Sequence, residues 1–344
     1  MNKVNVAIVG ATGAVGTKIL EKLIERDFPF KSIKLLASKR SAGTEITAAG
    51  FNYIVEETVP ESFEGVDIAF FSAGGSISEK FAPEAVKRGA VVVDNTSAFR
   101  MVADIPLVVP EVNAQALSSH SGIIANPNCS TIQMVAALQP VKEKFGLSRI
   151  IVSTYQAVSG AGAEAIDELE SQSQQFEGRA TNEAEILPSA SAAKHYPIAF
   201  NAIPQIDAFD ASGYTLEELK MMNETKKIFG DYEMSVTATC VRLPVVTGHS
   251  ESVYIEIDQE GVTVEDIRAS MEGAPGVVVQ DNPAQQLYPM PLFAEGKDEV
   301  FVGRIRKDPN HAGGFHMWIV SDNLLKGAAL NSVQIAEQLI NKPK

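Results

Sequence analysis

The sequence predicts two units: an α/β Rossmann-type, doubly wound nucleotide domain over residues 1–127, completed by a C-terminal helix over 323–344, and an α+β unit over 128–322 built on a mixed, mostly antiparallel sheet. Three observations carry this expectation. Up to about residue 128, short apolar β-rich runs alternate with helical runs, as in a parallel sheet with crossover helices. Glycines at 10, 13 and 16 follow directly on the first of those runs. Beyond residue 148 the strands lengthen, alternate with period two and are separated by few helices, which favours antiparallel pairing.

The first run, "VNVAIV" (4–9), leads into "GATGAVG" and then "TKILEKLIER", where Ile19, Leu20, Leu23 and Ile24 share a helical face. The glycine spacing is G-x-x-G-x-x-G. Gly10 suits the turn off the strand, Gly13 a close approach of backbone to a pyrophosphate, and Gly16 close helix–strand contact. With Thr12, the N–H groups of Ala14 and Val15 stand at the positive end of the helix, where phosphate is favoured. A glycine-rich turn without a ligand is the plainer alternative; the strand before and the helix after favour a nucleotide.

The second run, "IKLLA" (33–37), ends where an NAD-specific site would place an acid for the ribose 2′-hydroxyl. Here "SKRSAG" follows instead. Ser38, Arg40 and Ser41 suit a 2′-phosphate through charge-assisted hydrogen bonds, so NADP (NADPH) is the expected cofactor; otherwise Lys39 and Arg40 are a solvated loop edge. "VDIAFFSAGG" (66–75), the helix "ISEKFAPEAVKRG" and "AVVVDNTSAFR" (90–100) continue the winding, with Asn95, Thr96, Ser97 and Arg100 past the last strand. "LVVPEVN" and "GIIANPN" extend the series of strands to Cys129.

The second unit begins with a helix, "STIQMVAALQPVKEKFG", stopped by Gly146. "SRIIVSTYQAVSGAG" (148–162) is a strand running into a turn. "SVTATCVRLPVVTGHSESVYIEID" (235–258) reads as two strands around a turn at Thr247-Gly248, and "EVFVGRIRKD" and "GFHMWIVSD" supply two more. Residues 170–200 lack periodicity and read as a long excursion. The last helix, "LLKGAALNSVQIAEQLI", is amphipathic and should return to the first unit.

Composition excludes whole classes of function. The 344 residues carry a net charge of −14, which argues against nucleic acid or an anionic membrane as partner. No stretch approaches the roughly 20 apolar residues of a membrane span. Cys129 and Cys240 offer neither a disulfide framework nor metal spacing, so the cytoplasm is expected and no metal is.

Cys129 lies in "ANPNCSTIQ", at or just before the start of its helix and at the seam of the two expected units. The unpaired N–H groups and dipole at such a position favour a thiolate. A buried filler would predict an apolar neighbourhood, and the neighbours are polar. Cys240, alternating along "TATCVRL", reads as packing. Periodicity does not choose among the five histidines. His120 and His195 lie in loop-like sequence, His311 and His316 near a turn and strand, and His249 at a strand–turn–strand. Thr215 and Glu218 form a T-x-x-E capping box, which starts a helix near 216 and puts Glu217 and Lys220 on one face. Such a pair is ordinarily a surface ion pair contributing about 0–1 kcal/mol.

Together, "GATGAVG", "NPNCST", "QAVSGAG", "EELKMMNETKKI" and "VRLPVVTGHS" resemble aspartate-semialdehyde dehydrogenases over essentially the whole chain, and "SDNLLKGAA" resembles the branch typical of Gram-positive bacteria. The resemblance implies NADPH-dependent reduction of L-aspartyl 4-phosphate to L-aspartate 4-semialdehyde and phosphate, reversibly, in lysine, threonine, methionine and isoleucine biosynthesis. It makes 128–322 a catalytic and dimerisation domain, and implies a homodimer, in some members a tetramer, joined through the sheet of that domain. It also implies that Cys129 is the nucleophile of a thioester route, that Gln156 orients the acyl intermediate, and that His249 is the acid/base. By the same resemblance Arg242 holds the substrate α-carboxylate, Glu217 its amino group, and Arg100 and Lys220 the phosphate. Asn128 joins the substrate contacts; Ser159 and Gly160, with Asn323, hold the nicotinamide end. An N-acetyl-glutamyl-phosphate reductase is the nearest rival, against which Glu217 argues, since an acetylated amine has no need of a carboxylate. A non-catalytic nucleotide-binding paralogue is the other, against which Cys129, Gln156, Arg242 and His249 argue.

Overall fold

The computed structural model describes residues 3–341. They divide into two compact units, one running to Asn128 and resuming at Ala328, the other Cys129–Gly327.

In the first unit, β1 (Val4–Val9) and α1 (Ala14–Glu25) are followed by β2 (Phe30–Ala37), an added hairpin of β3 (Glu45–Ala48) and β4 (Phe51–Glu57), and β5 (Ile68–Phe71). Next come α2 (Gly75–Lys87), β6 (Val91–Asp94), a short α3 (Pro110–Asn113) and β7 (Ile123–Ala125). The sheet order is β3-β4-β2-β1-β5-β6-β7, parallel except for the β3–β4 pair. The order reverses beside β1, because β2 pairs on one side of it and β5 on the other. Such a reversal opens a crevice beyond the carboxyl ends of the strands. α1 turns its apolar face (Ile19, Leu20, Leu23) into one core, and Phe81, Ala82 and Ala85 of α2 enter the other. A Cβ at Gly16 would fall on the carbonyl oxygen of Gly10, so only glycine lets α1 start this close to the strand.

Two details of this unit differ from expectation. The hairpin was not visible in the alternation of strands and helices. "LVVPEVN" is no strand: Leu107 makes an isolated bridge to Ala125, and Pro110 then begins α3. A proline at the first helical position has a preset φ and lacks only a hydrogen that would go unpaired there.

The second unit opens with α4 (Cys129–Phe145), which ends at Gly146 with φ +74°. Then follow β8 (Arg149–Gln156), α5 (Ala163–Ser173), the irregular stretch 174–215, α6 (Leu216–Phe229), β9 (Ser235–Arg242) and β10 (His249–Glu256). α7 (Val264–Met271), β11 (Val277–Val279), α8 (Pro291–Ala294), β12 (Val300–Lys307) and β13 (Gly314–Ser321) complete it. The sheet order is β11-β12-β13-β10-β8-β9, with three antiparallel neighbours in the middle and parallel pairs at both ends. β9 and β10 are therefore not a hairpin: β8 lies between them, parallel to β9 and antiparallel to β10. α4, α6 and α7 cover one face. α4 is buried all round from Ser130 to Leu138, hence its weak amphipathic pattern.

After Gly327 the chain returns to the first unit in α9 (Leu330–Asn341), whose Val333, Ile335 and Ala336 join the core of α1. No helix among the described residues is long and apolar enough to cross a membrane.

Candidate active site

The second unit gathers most of the chemistry into one row of side chains. Arg242 ends β9 and pairs in register with Gln156, which ends the parallel β8. β10 runs the other way, so its first residue, His249, lies at this same edge, opposite Ser321 of β13. All four side chains face the helix-covered side and are buried. Cys129 begins α4, the central helix on that side, and is partly exposed.

Gln156 Nε2 donates to Ser130 Oγ at 2.7 Å and to Glu217 Oε1 at 3.2 Å, linking the cysteine helix to α6. α6 begins with the expected capping box: Glu218 N donates to Thr215 Oγ1, and Thr215 N to Glu218 Oε2 at 2.7 Å. That cap sets the first turn and turns Glu217, nearly buried, toward Gln156. The Lys220 ammonium is shared by two carboxylates, Glu217 Oε2 at 3.3 Å and Asp207 Oδ2 at 2.9 Å. No motif or spacing marks Asp207, which lies in irregular chain.

Arg242 donates from Nη1 to the carbonyl of Ala157 at 2.6 Å, while its buried Nε has no partner among the described residues. Burial pulls the guanidinium pKa down, and the charges of Glu217 and Cys129 oppose that pull. A cation so placed, with unused donors, is suited to a bidentate carboxylate.

His249 is fully buried. Burial, with Arg242 nearby, pushes its pKa down to about 3, so the ring is neutral near neutral pH. Its Nδ1 accepts from the N–H of Ala157 at 3.1 Å. The ring hydrogen is therefore on Nε2, which has no partner among the described residues. A Cβ at Gly160 would come within 3.0 Å of Arg242 Nη1 and 3.2 Å of His249 Nε2. Glycine there leaves those two groups room for a ligand. Ser159, next to Gly160 in the chain, exchanges side-chain hydrogen bonds with Asn323, whose Oδ1 also accepts from Gly248 N at 2.9 Å. Cys240 is buried, and burial raises its thiol pKa far out of the nucleophilic range.

In the first unit, Gly10, Thr12, Gly13, Ser38, Arg40 and Ser41 line one cavity of about 450 Å³ at the crevice of the sheet. Ala14 and Val15 form the first turn of α1, which no side chain caps. A Cβ at Gly13 would meet only the Gly10 oxygen, at 3.4 Å, so the missing side chain leaves the helix start approachable. Lys39, Lys80 and Glu57 line the same cavity, the last two unforeseen from sequence. Three cations against one carboxylate make this a fit for a phosphorylated ribose. Arg100, nearly buried, donates from Nε to the Asn126 carbonyl at 2.9 Å and from Nη2 to the Asn95 carbonyl at 2.8 Å. Asn128, buried, is the last residue before the cysteine helix.

Known proteins resemble the chain over its whole length. Residues 5–120 match the family model "Semialdehyde dehydrogenase, NAD binding domain", and 138–326 match "Semialdehyde dehydrogenase, dimerisation domain". The chain is 64% identical over 335 residues to the aspartate-semialdehyde dehydrogenase of Bacillus subtilis, covering 97% of each chain. With that of Aquifex aeolicus it is 54% identical over 340 residues, covering 98% of each. It superposes with a TM-score of 0.93, at 46% identity and full coverage of both chains, on aspartate semialdehyde dehydrogenase II from Vibrio cholerae complexed with ASA. The enzyme from Candida albicans, solved with NADP, follows at a TM-score of 0.76 and 26% identity, covering 98% of this chain and 99% of that one. A dinucleotide crevice in one unit, a buried Arg–Gln–His row behind a helix-start cysteine in the other, and this likeness over the full length agree: the chain belongs to the aspartate-semialdehyde dehydrogenase family.

Proposed function

We propose that the protein reduces L-aspartyl 4-phosphate with NADPH to L-aspartate 4-semialdehyde and phosphate, reversibly, through a thioester on Cys129. The observation that carries this reading is the Arg242–Gln156–His249 row beside Glu217, facing the helix that Cys129 starts. The helix start and the Arg242 guanidinium favour the thiolate of Cys129, so His249 need not take its proton. The thiolate attacks the acyl carbon, the C–S bond forms and phosphate leaves with its bonding pair. Bound NADPH supplies a hydride to the thioester carbon. The resulting alkoxide is stabilised by the Nε2–H of His249, the only ring hydrogen its tautomer offers, and collapses to aldehyde as the thiolate departs. Gln156 orients the acyl group, Arg242 grips the α-carboxylate and Glu217 pairs with the α-ammonium.

Lys220 and Arg100 are assigned to the phosphate, Asn128 to the substrate, and Ser159, Gly160 and Asn323 to the nicotinamide end. Arg40, with Lys39, Ser38 and Ser41, favours NADP over NAD. The first unit is read as the cofactor domain and the second as the catalytic one, and the latter's sheet face opposite α4, α6 and α7 as the seat of a homodimer. The working location is the cytoplasm, where a nucleophilic thiol stays reduced.

The test is oxidation of aspartate semialdehyde, followed as NADPH absorbance. The rate should require both phosphate and NADP. Cys129→Ala should lose turnover and phosphate-dependent acyl transfer while still binding NADPH; substantial turnover by that variant would end the nucleophile assignment.

A further inference from the structure

β10 carries an acid on the covered face of its sheet. Glu251 is fully buried, two residues along the same face from His249. Among the described residues neither carboxylate oxygen has a hydrogen bond of ordinary geometry. Thr154 of β8 and Ile319 of β13 flank it in register, and among the described residues the buried Oγ1 of Thr154 also has no hydrogen bond of ordinary geometry. An unmatched buried carboxyl costs stability, so its presence here calls for a reason.

Among the described residues, the side chain that acts on this carboxyl as a hydrogen-bond donor is Gln133, one turn into the cysteine helix and itself fully buried. Gln133 Nε2 donates to the carbonyl of His249 at 3.3 Å, and its Oε1 accepts from Ser321 Oγ at 2.8 Å. Ser321 is the residue opposite His249 on β13. Gln133 thus ties α4 to the strand ends that carry the imidazole, and Glu251 sits behind that tie.

We propose that Glu251 is a positioning residue for the reaction: its carboxyl backs the Gln133 amide and so fixes the His249 end of β10 relative to the helix that carries Cys129. The inference rests on the acid role given to His249. Burial pushes the Glu251 carboxyl well above the usual carboxylate range, which favours its uncharged form. In that form it offers both an O–H and a C=O to the amide, and it adds no negative charge to a site that must hold a thiolate.

The experiment compares Glu251→Leu, Glu251→Gln and Gln133→Met in the semialdehyde assay, once unsubstituted protein has shown turnover; without that turnover the function reading fails, not this one. Glu251→Leu replaces a buried carboxyl that has no hydrogen bond of ordinary geometry by an apolar side chain of similar size, so its Tm should be no lower than that of the unsubstituted protein. Its kcat should nonetheless fall roughly ten- to a hundredfold, the scale of a small misplacement, with KM for NADP unchanged. Glu251→Gln, uncharged and able to hydrogen-bond, should restore most of kcat. Gln133→Met should match Glu251→Leu, and the double variant should be no worse than either, because both break one link. Undiminished kcat in Glu251→Leu, or a Gln variant as impaired as the Leu one, overturns the proposal. Should Glu251→Leu not fold, undiminished kcat in Gln133→Met overturns it equally.

Discussion

Arg40 and His249 illustrate how single residues are set by their surroundings. Arg40 lines the cavity at the end of β2 together with Lys39 and Lys80, against the lone acid Glu57. Arg40→Ala should raise KM for NADP by roughly tenfold or more, the scale of a lost charge-assisted hydrogen bond, and leave KM for NAD nearly unchanged. Equal losses for both cofactors would refute a 2′-phosphate contact. His249 is a residue whose identity the local sequence left open among five; its burial, its Nδ1 contact with Ala157 and its place beside Arg242 single it out. Glu251 was legible in part. In "HSESVYIEI" it alternates with His249, Val253 and Ile255, so an acid on a core face could have been read from spacing alone.

Among the elements, α6 shows local chemistry deciding a site. The Thr215–Glu218 box was readable because a cap spans only four residues, and the helix starts where that box requires. Thr215→Ala should lower unfolding stability by about 1 kcal/mol. Because Glu217 lies in that first turn, the same variant should raise KM for the semialdehyde more than KM for NADP; denaturant titration and steady-state kinetics check both. The irregular stretch after α5 offers no such handle. Asp207, which shares the Lys220 ammonium with Glu217, lies there with φ +70°, a conformation no spacing announces.

Across the whole chain, burial of His249 links acidity to stability. Its pKa is about 3 in the folded protein against an ordinary 6.5. Between those values the unfolded chain binds a proton the folded chain refuses, so this contribution is complete above the upper value and is lost as pH falls through the window. It amounts to a few kcal/mol, because each tenfold difference in proton affinity between the two states is worth about 1.4 kcal/mol. His249→Asn should therefore lose less stability than the unsubstituted protein across that range, seen in denaturant midpoints against pH; parallel curves would contradict it. The outward face of the second sheet carries Ile151, Ser153, Tyr155, Ser252, Tyr254 and Trp318, with Tyr155 and Trp318 rings 5.4 Å apart. If the homodimer forms there, Ser153→Arg should elute as a folded monomer in size-exclusion chromatography, since a central charge desolvates poorly in an interface core.

What the sequence by itself determined was local: the glycine-bearing strand–helix turn, the helix begun at Cys129 and the capped start of α6. Each is specified by residues within a turn or two of one another, where backbone sterics, capping and dipoles act. Only the tertiary structure decided the row of Arg242, Gln156 and His249, and the placing of Glu251 behind it. That row exists because β8 inserts between β9 and β10, although it precedes both in the chain. Strand order is settled by which apolar faces can be buried together over long separations, and the alternation of any one strand is the same whichever neighbour it takes.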